Sequence, residues 1–495
     1  MFMRIRSRIV STALNVIAPL AFTASAADWP QWRGPQGNGV TVGKLPTQWS
    51  TNQNIMWAVA LPGAGWSQPV VSGNKIFITT AITADQKKPK GGEFDPGISF
   101  GGRGPRGPRP RPDGDSSIDA RPPGSDNAAS TNRPRPSFGG PGGFPSPPVS
   151  PPPDLLYQWK VLCLDVATGK TLWERTPHEA KPNTPIHRNN TYASETPATD
   201  GEFLFAYFGM HGLYCYDLNG NLKWTNDLGS FPMQFGWGTG SSPILHGGLL
   251  YVQCDNDKES FLIAFDKRTG NHAWRVARDE KSNWSSPYVW KNRVRTELVT
   301  GGGAMIRSYK PENGELLWEL SANGRTAITP VGDDDLLYVD SYDRMMGGRG
   351  MLVAVKAGAT GNISLANGET NSPAVAWATR LTSYRVASPL LYGGCLYQLD
   401  QQSGMVRCFD AKTGESHYKE RLPGTRGFTA SPWASDGRVY CMDETGITVV
   451  LEAGRHFAIL KTNQLNETIW ASVAVAGDRM LLRGVDHLFC IRNSK

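Results

Sequence analysis

Five stretches of the chain share one pattern: DVATGKTLW at 165–173, DLNGNLKW at 217–224, DKRTGNHAW at 266–274, KPENGELLW at 310–318 and DAKTGESHY at 410–418. Each runs from a polar residue through a Gly-containing turn into a short strand that carries an aromatic. Glycine supplies the positive φ that a tight hairpin needs. The aromatic follows at a nearly fixed distance, where it can wedge between two sheets and bury about 150–250 Å². Trp377, in AVAWAT, holds the same place after a longer connection.

Working outward, each turn belongs to a longer unit that starts at a polar residue before proline. The starts are Gln68-Pro69, Thr196-Pro197, Ser242-Pro243, Ser286-Pro287, Thr329-Pro330, Ser388-Pro389 and Ser431-Pro432, with Ser472-Val473 as a degenerate eighth. Pro197, Pro243, Pro287 and Pro330 are separated by 46, 44 and 43 residues, and Pro389 and Pro432 by 43. That period is typical of propeller blades, at about 40–50 residues. The sequence therefore predicts an all-β fold: an eight-bladed β-propeller of four-stranded antiparallel blades. Trp57, Trp173, Trp224, Trp274, Trp318, Trp377 and Tyr418 are the expected docking residues. The last unit stops after its third strand, His487 to Arg492. The strand it lacks lies at the other end of the chain, from Asn54 to Leu61 around Trp57. Closing the ring with that strand removes the unpaired sheet edges that would otherwise invite aggregation.

The remaining segments sort by composition. Residues 1–27 read as a signal peptide: Arg4, Arg6 and Arg8, an apolar run from Ile9 to Phe22, then Ala24-Ser25-Ala26. No Cys follows that run, so a lipid anchor is not expected. Residues 28–53 form a leader and 54–495 the propeller. An insert at 84–153, dense in Gly, Pro and Arg, interrupts the first blade. It lacks the apolar periodicity of a folded unit and is expected to be disordered. Its arginines make an acidic polymer or envelope surface a partner to consider. No later stretch is long and apolar enough to span a membrane. The chain is expected to be exported, to the periplasm or the exterior, and to be soluble and monomeric.

The chain has 495 residues and a formal net charge of +7. Removing the three arginines of the expected signal peptide lowers the charge to about +4, too little to argue for nucleic acid. Seven cysteines are present, with no adjacent pair and no C-x-x-C. Most read as small buried apolar residues. Cys395 and Cys408 are the one pair that a hairpin could bring together.

The stretch Asp28-Trp29-Pro30-Gln31-Trp32-Arg33-Gly34-Pro35, followed by NIMWAVALPGAGWSQPVV, resembles exported PQQ-like propeller proteins. The D-x-x-TG-x-x-x-W turns are similar to the tryptophan-docking repeats of quinoprotein dehydrogenases and of BamB-type scaffolds. The resemblance covers about 28–82 and 154–495. It implies the propeller fold and two unlike activities: a scaffold in outer-membrane protein assembly, or a dehydrogenase using pyrroloquinoline quinone with calcium. The adjacent Cys-Cys of quinoprotein alcohol dehydrogenases is absent. No Glu/Asn/Asp calcium set can be placed by motif, and no catalytic or metal residue is assigned. Asp255-Asn256-Asp257 and Asp333-Asp334-Asp335 are only faint cation motifs.

In a propeller, the loops leading into the inner strands share one face with the loops joining second to third strands. The first set here carries Trp66, Tyr192, Trp237, Trp284, Arg325, Tyr384, Arg385, Arg426, Phe428 and Trp470. The second adds His211, Asp255, Asp257, Tyr342, Asp343, Asp400, Gln401, Asp443 and Glu444. Aromatics, guanidinium groups and carboxylates around one mouth suit a planar or anionic ligand. Three readings follow: a non-catalytic scaffold binding a protein through this face, a diverged quinoprotein dehydrogenase, and a carbohydrate- or polymer-binding propeller.

Overall fold

The computed structural model describes residues 28–88, 149–322, 324, 326–343 and 349–494, with backbone alone at Asp343 and Arg349. The expected signal peptide, Arg325 and most of the insert lie outside the described residues. Eight sheets follow one another along the chain. Blade 1 is built from Val70–Ser72, Lys75–Thr83, Tyr157–Asp165 and Thr171–Ala180. Blades 2 to 7 start at Ala198–Thr199, Ile244–His246, Tyr288–Lys291, Val331–Gly332, Leu390–Tyr392 and Trp433–Ser435. Blade 8 takes Ala474–Ala476, Arg479–Arg483 and His487–Ile491 from the C-terminal end. Its outer strand is Ile55–Ala60, antiparallel to His487–Ile491.

Burial along each blade follows from this stacking. The middle strands are covered on both faces by neighbouring blades, so Leu213–Asp217 and Ser260–Asp266 read as nearly continuous buried runs. The outer strands are half solvated and alternate, as in His272–Arg278.

Successive blades are locked by the repeat itself. The indole N–H of Trp57 donates to the Val166 carbonyl of the next blade, and Trp173 donates to Leu218, Trp224 to Lys267, Trp274 to Pro311 and Trp377 to Ala411, at 3.0–3.2 Å. Each ring lies flat over the turn glycine of that next blade. An ideal Cβ on Gly169, Gly220, Gly270, Gly314 or Gly414 would come within 2.5–2.9 Å of the ring. The glycine is thus required twice, for its positive φ and for the space under the indole.

Two expected docking residues differ. Trp318 donates instead to the buried carboxylate of Glu297 in its own blade, at 2.7 Å. The Thr360-Gly361 of blade 5 does not receive it, for nothing lies within 4 Å of the Gly361 Cβ position. The connection after Lys356 instead lays Gly361–Asn362 parallel to Trp318 and Glu319, making blade 4 five-stranded. Tyr418 packs on Phe457 with ring centroids 5.4 Å apart, and no side chain or backbone atom fills the space over Gly454.

The residue before each proline closes a second lock around the axis. The backbone N–H of Gln68 donates to the Thr196 hydroxyl, Thr196 to Ser242, Ser242 to Ser286, Thr329 to Ser388, Ser388 to Ser431, and Ser431 to Ser472, at 2.9–3.0 Å. Between blades 4 and 5 the link is the Ser285 hydroxyl donating to Ile328 O at 2.8 Å, and the Gln68 amide joins blade 1 to blade 8 by donating to Val473 O at 2.5 Å. The following proline keeps each donor residue extended. Its hydroxyl serves the preceding blade, which is why Ser or Thr recurs there.

The leader lies across the opposite end of the axis. Trp29 pairs with Val71 of blade 1, Pro30 O accepts from Thr199 of blade 2, and Gln31 Oε1 accepts from Leu245 of blade 3. Gly37 sits against the Tyr288 ring of blade 4, and Trp32 donates to the Thr329 hydroxyl before blade 5. Arg33 donates to Pro389 O before blade 6 at 2.7 Å, and Gly39 and Thr41 bracket Ala434 of blade 7. Arg33 is fully buried with no carboxylate beside it, and desolvation lowers its pKa to about 10.

The seven cysteines are all buried and free. Cys395 faces Asp410 and Cys408 faces Tyr397, so the pair that the hairpin offered sits diagonally across it, with the two thiols close enough to interact but not bonded.

Candidate functional site

The loops that lead into the inner strands enclose a cavity of about 760 Å³ on the axis. Ser242, Ser286, Ser431 and Ser472 of the hydrogen-bonded circuit form part of its wall. Trp32 of the leader lines both this cavity and a second one of about 640 Å³ on the opposite face, and so forms the partition between them. The axis is therefore a blind funnel.

Of the ten residues predicted for this face, Trp66, Trp237, Trp284, Tyr384 and Trp470 line the cavity, joined by Tyr342 and Gln401 of the second set. They stand mostly as pairs. Trp66 and Trp470 have ring centroids 4.8 Å apart, Tyr342 and Tyr384 5.5 Å, and Trp237 and Trp284 6.5 Å. Two indoles are fixed from behind: Trp66 donates to Asn189 O and Trp284 to Gly238 O.

Of the rest, Arg325 lies outside the described residues, and the structure places the other four elsewhere. Tyr192 is buried against Tyr157 and Trp159, its hydroxyl donating to Thr184 O. Phe428 is fully buried between blades 6 and 7. Arg385 is buried in a bidentate pair with Asp340, with both bonds at 2.7 Å. Arg426 is exposed and is not part of the cavity lining. The Arg385 guanidinium is thus committed to Asp340 and is not open to a ligand.

The carboxylates show the same commitment. Asp255 pairs with buried Arg278 at 2.8 Å. Asp257 accepts from the Ser282 hydroxyl, and Asp400 from the Ser383 hydroxyl. Asp443 gathers the Thr445 and Ile447 amides, and Glu444 accepts from the Thr429 hydroxyl at 2.6 Å. Burial raises the pKa of both Asp443 and Glu444. Glu280, which no motif announced, accepts from the amides of Gly303, Ala304 and Met305 and from Arg307. His211 lies outside the cavity, stacked with His178 and Trp159. Burial, then His178, lowers its pKa to about 4.

Sequence reasoning missed Phe235 and Trp32. Phe235 reaches the cavity through a short loop with φ of 51°, and Trp32 arrives from the leader. Neither position has a repeat to mark it.

Among the described residues, no three His, Cys, Asp or Glu side chains converge. Asp333 is used within its own turn, accepting from the Asp335 and Leu336 amides. A tricarboxylate quinone held on calcium needs cations and convergent oxygen donors. The described lining offers Lys281 as its cation beside Asp279 and the saturated Glu280. It does not fit that group.

Comparison with known proteins agrees with the architecture. A family model described as outer membrane protein assembly factor BamB matches residues 158–289 and 258–361. The BamB of Moranella endobia (strain PCIT) is 22% identical over 174 residues, which is 35% of this chain and 41% of that protein. A europium-containing methanol dehydrogenase superposes with a TM-score of 0.52 at 9% identity, covering 93% of this chain and 90% of that one. The quinohemoprotein alcohol dehydrogenase ADHIIG from Pseudomonas putida HK5 gives 0.53 at 10% identity, covering 95% and 81%. No helix among the described residues is long and apolar enough to cross a membrane. With its docking repeats, its closed ring of eight sheets and these likenesses, the chain is a PQQ-like β-propeller.

Proposed function

We propose that this protein is a non-catalytic, exported propeller scaffold of the cell envelope that docks a protein partner on its funnel face. One observation carries the reading. The buried carboxylates and guanidinium groups described on that face are engaged within the protein, while the aromatic pairs at the mouth face open space. A surface of that kind recognises by shape and desolvation, and aromatic clusters dominate such interfaces. The sequence match to an assembly factor over residues 158–361 points the same way.

The test is photocrosslinking in the native host. A photoreactive amino acid at position 237, on the mouth, is expected to yield a discrete protein adduct. The same probe at exposed Leu172, on the outer strand of blade 1, is expected to yield none. Equal labelling from both positions, or none from position 237, overturns the docking face. Oxidation of alcohols or sugars by the purified protein with added quinone and calcium overturns the non-catalytic assignment.

A further inference from the structure

A carboxyl group is built into the funnel wall without a charge partner. Glu195 precedes Thr196 of the axial circuit and is 2% exposed. Its Oε1 has no hydrogen-bond partner. The Gly209 turn and Thr239 converge on it: an ideal Cβ on Gly209 would collide with the Thr239 hydroxyl and lie 3.2 Å from Glu195 Oε1. The groups that favour its ionised form are that hydroxyl and the amides of Ser194 and Glu195, and no cation is among them. The titratable groups on the elements around it are neutral near pH 7 or already paired. Burial raises the Tyr207 hydroxyl and takes the Cys254 thiol up to about 12, while His211 of the Gly209 turn is lowered to about 4. Asp255, next to Cys254, is held by Arg278. A carboxylate among neutral buried groups is costly, so desolvation lifts Glu195 to about 7.

The wall segment beside this carboxyl has little regular structure to hold it. Residues 233–240 carry Trp237 and, through Gly238 O, the anchor of Trp284. The backbone takes positive φ at Phe235, Gly236 and Gly238. Its bonds are two short turns of its own, Gly236 N to Met233 O and Trp237 N to Gln234 O, one from Gln234 N to the Ser282 hydroxyl, and two from Asn190. The Asn190 amide nitrogen donates to Trp237 O at 2.7 Å and to Thr239 O at 3.0 Å, and its Oδ1 accepts from the Ser194 hydroxyl next to Glu195. On the other side the backbone is fixed, because Thr196 N donates to the Ser242 hydroxyl in the circuit. Water that hydrates an ionised Glu195 therefore displaces the Thr239 segment and not the circuit. We propose that Glu195 is a proton-operated latch of the funnel wall: neutral, it keeps residues 233–240 seated, and ionised, it loosens them and with them the docking face. The sign follows from linkage. The loosened state has its carboxyl in water and holds the proton more weakly, so loosening gains as pH rises from about 4.5 and levels off above about 7, by up to about 300-fold over that span. The effect on docking rests on the docking reading above; the loosening itself does not.

The test is hydrogen exchange of the full chain, read by mass spectrometry at pH 5 and pH 8 and corrected for the chemical exchange rate. Protection of the Gly236 and Trp237 amides is expected to fall by at least about tenfold in the parent and by less than about twofold in Glu195→Gln. Glu195→Met, neutral and of similar size, is the second variant. The strand Ser260–Asp266 is the control and is expected to keep its protection. Unchanged protection in the parent overturns the proposal. So does an equal fall in both neutral variants, which would put the titration on His187, whose ring is stacked on Trp237 at 3.8 Å. An equal fall in the control strand also overturns it, by showing global rather than local opening. Photoadduct yield from position 237 is then compared at the two pH values in isolated envelopes. A yield about threefold lower at pH 8, restored by Glu195→Gln, is expected; an equal yield overturns the regulation of docking. Local loosening with no adduct at either pH supports the latch and refutes the docking face, so the two fail separately.

Discussion

Replacing Gly270 by alanine tests the lock between blades 2 and 3. Gly270 has φ of +74°, and an ideal Cβ there would lie 2.6 Å from the Trp224 ring. The left-handed backbone alone costs a non-glycine residue about 1–2 kcal/mol. Forcing a methyl group into a packed contact adds about 1–3 kcal/mol. A loss near 3 kcal/mol is therefore expected, read as a lowered urea midpoint at unchanged slope. Gly247 is the internal control, because its φ is +59° and nothing lies within 4 Å of its Cβ position. Gly247→Ala carries the backbone cost without the clash, about 1 kcal/mol. Combining Gly270→Ala with Trp224→Phe shrinks the ring over the methyl group, so the double variant should lose less than the sum of the singles, with a coupling of at least about 1 kcal/mol. Equal losses for Gly270→Ala and Gly247→Ala, or strict additivity in the double variant, would refute the claim that the indole is seated on the glycine.

Three further outcomes are expected. Glu195 is buried behind the funnel wall with its Oε1 unpartnered, and desolvation raises its pKa from 4.5 to about 7. Between those values the unfolded chain has lost a proton that the folded chain keeps, so stability falls as pH rises, by up to about 3 kcal/mol, and levels off above about 7. Glu195→Gln should thus melt above the parent at pH 8 and with it at pH 4.5; equal melting at pH 8 defeats the argument. Ser388→Ala removes the acceptor for the Thr329 amide and should cost about 1–3 kcal/mol. Ser388→Thr should restore most of that loss, since Thr196 fills the equivalent role. Finally, a thiol assay in denaturant without reductant should count seven thiols, and reductant should leave the melting temperature unchanged. A count of five would mean that the neighbouring thiols of Cys395 and Cys408 are joined, against the free state of the structure.

The blade pattern was legible because it is local. A turn glycine, an aromatic four residues later and a polar residue before proline recur with a period, and periodicity survives in one dimension. The closure of the ring by Ile55–Ala60 was legible for the same reason, since the last unit visibly lacks a strand that the first residues supply. Function-face residues were legible only in part. Loop position places Trp284 or Trp470 near the axis, and the same rule places Arg385 and Phe428 there, yet the structure puts these two in the packing between blades. Whether a side chain turns toward the axis or into the neighbouring blade depends on what that neighbour offers. Asp340 stands ready for Arg385, and its place was set by a strand 45 residues away.

By itself the sequence determined the number of blades, their strand order and the identity of most docking aromatics, because each of these is a property of one repeat and its period. The tertiary structure alone decided the rest. It turned separate Ser and Thr residues into one circuit of hydrogen bonds around the axis. It made the leader a floor in contact with every inner strand from blade 1 to blade 4, with Trp32 dividing one cavity from the other. It committed Arg278, Arg307 and Arg385 to carboxylates, gave other carboxylates of that face to hydroxyls and amides, and gathered the aromatics around the cavity. The physical reason is that a buried charge must find its partner wherever the fold brings one, and an indole N–H or amide oxygen is orphaned only when every neighbouring chain segment has passed it by.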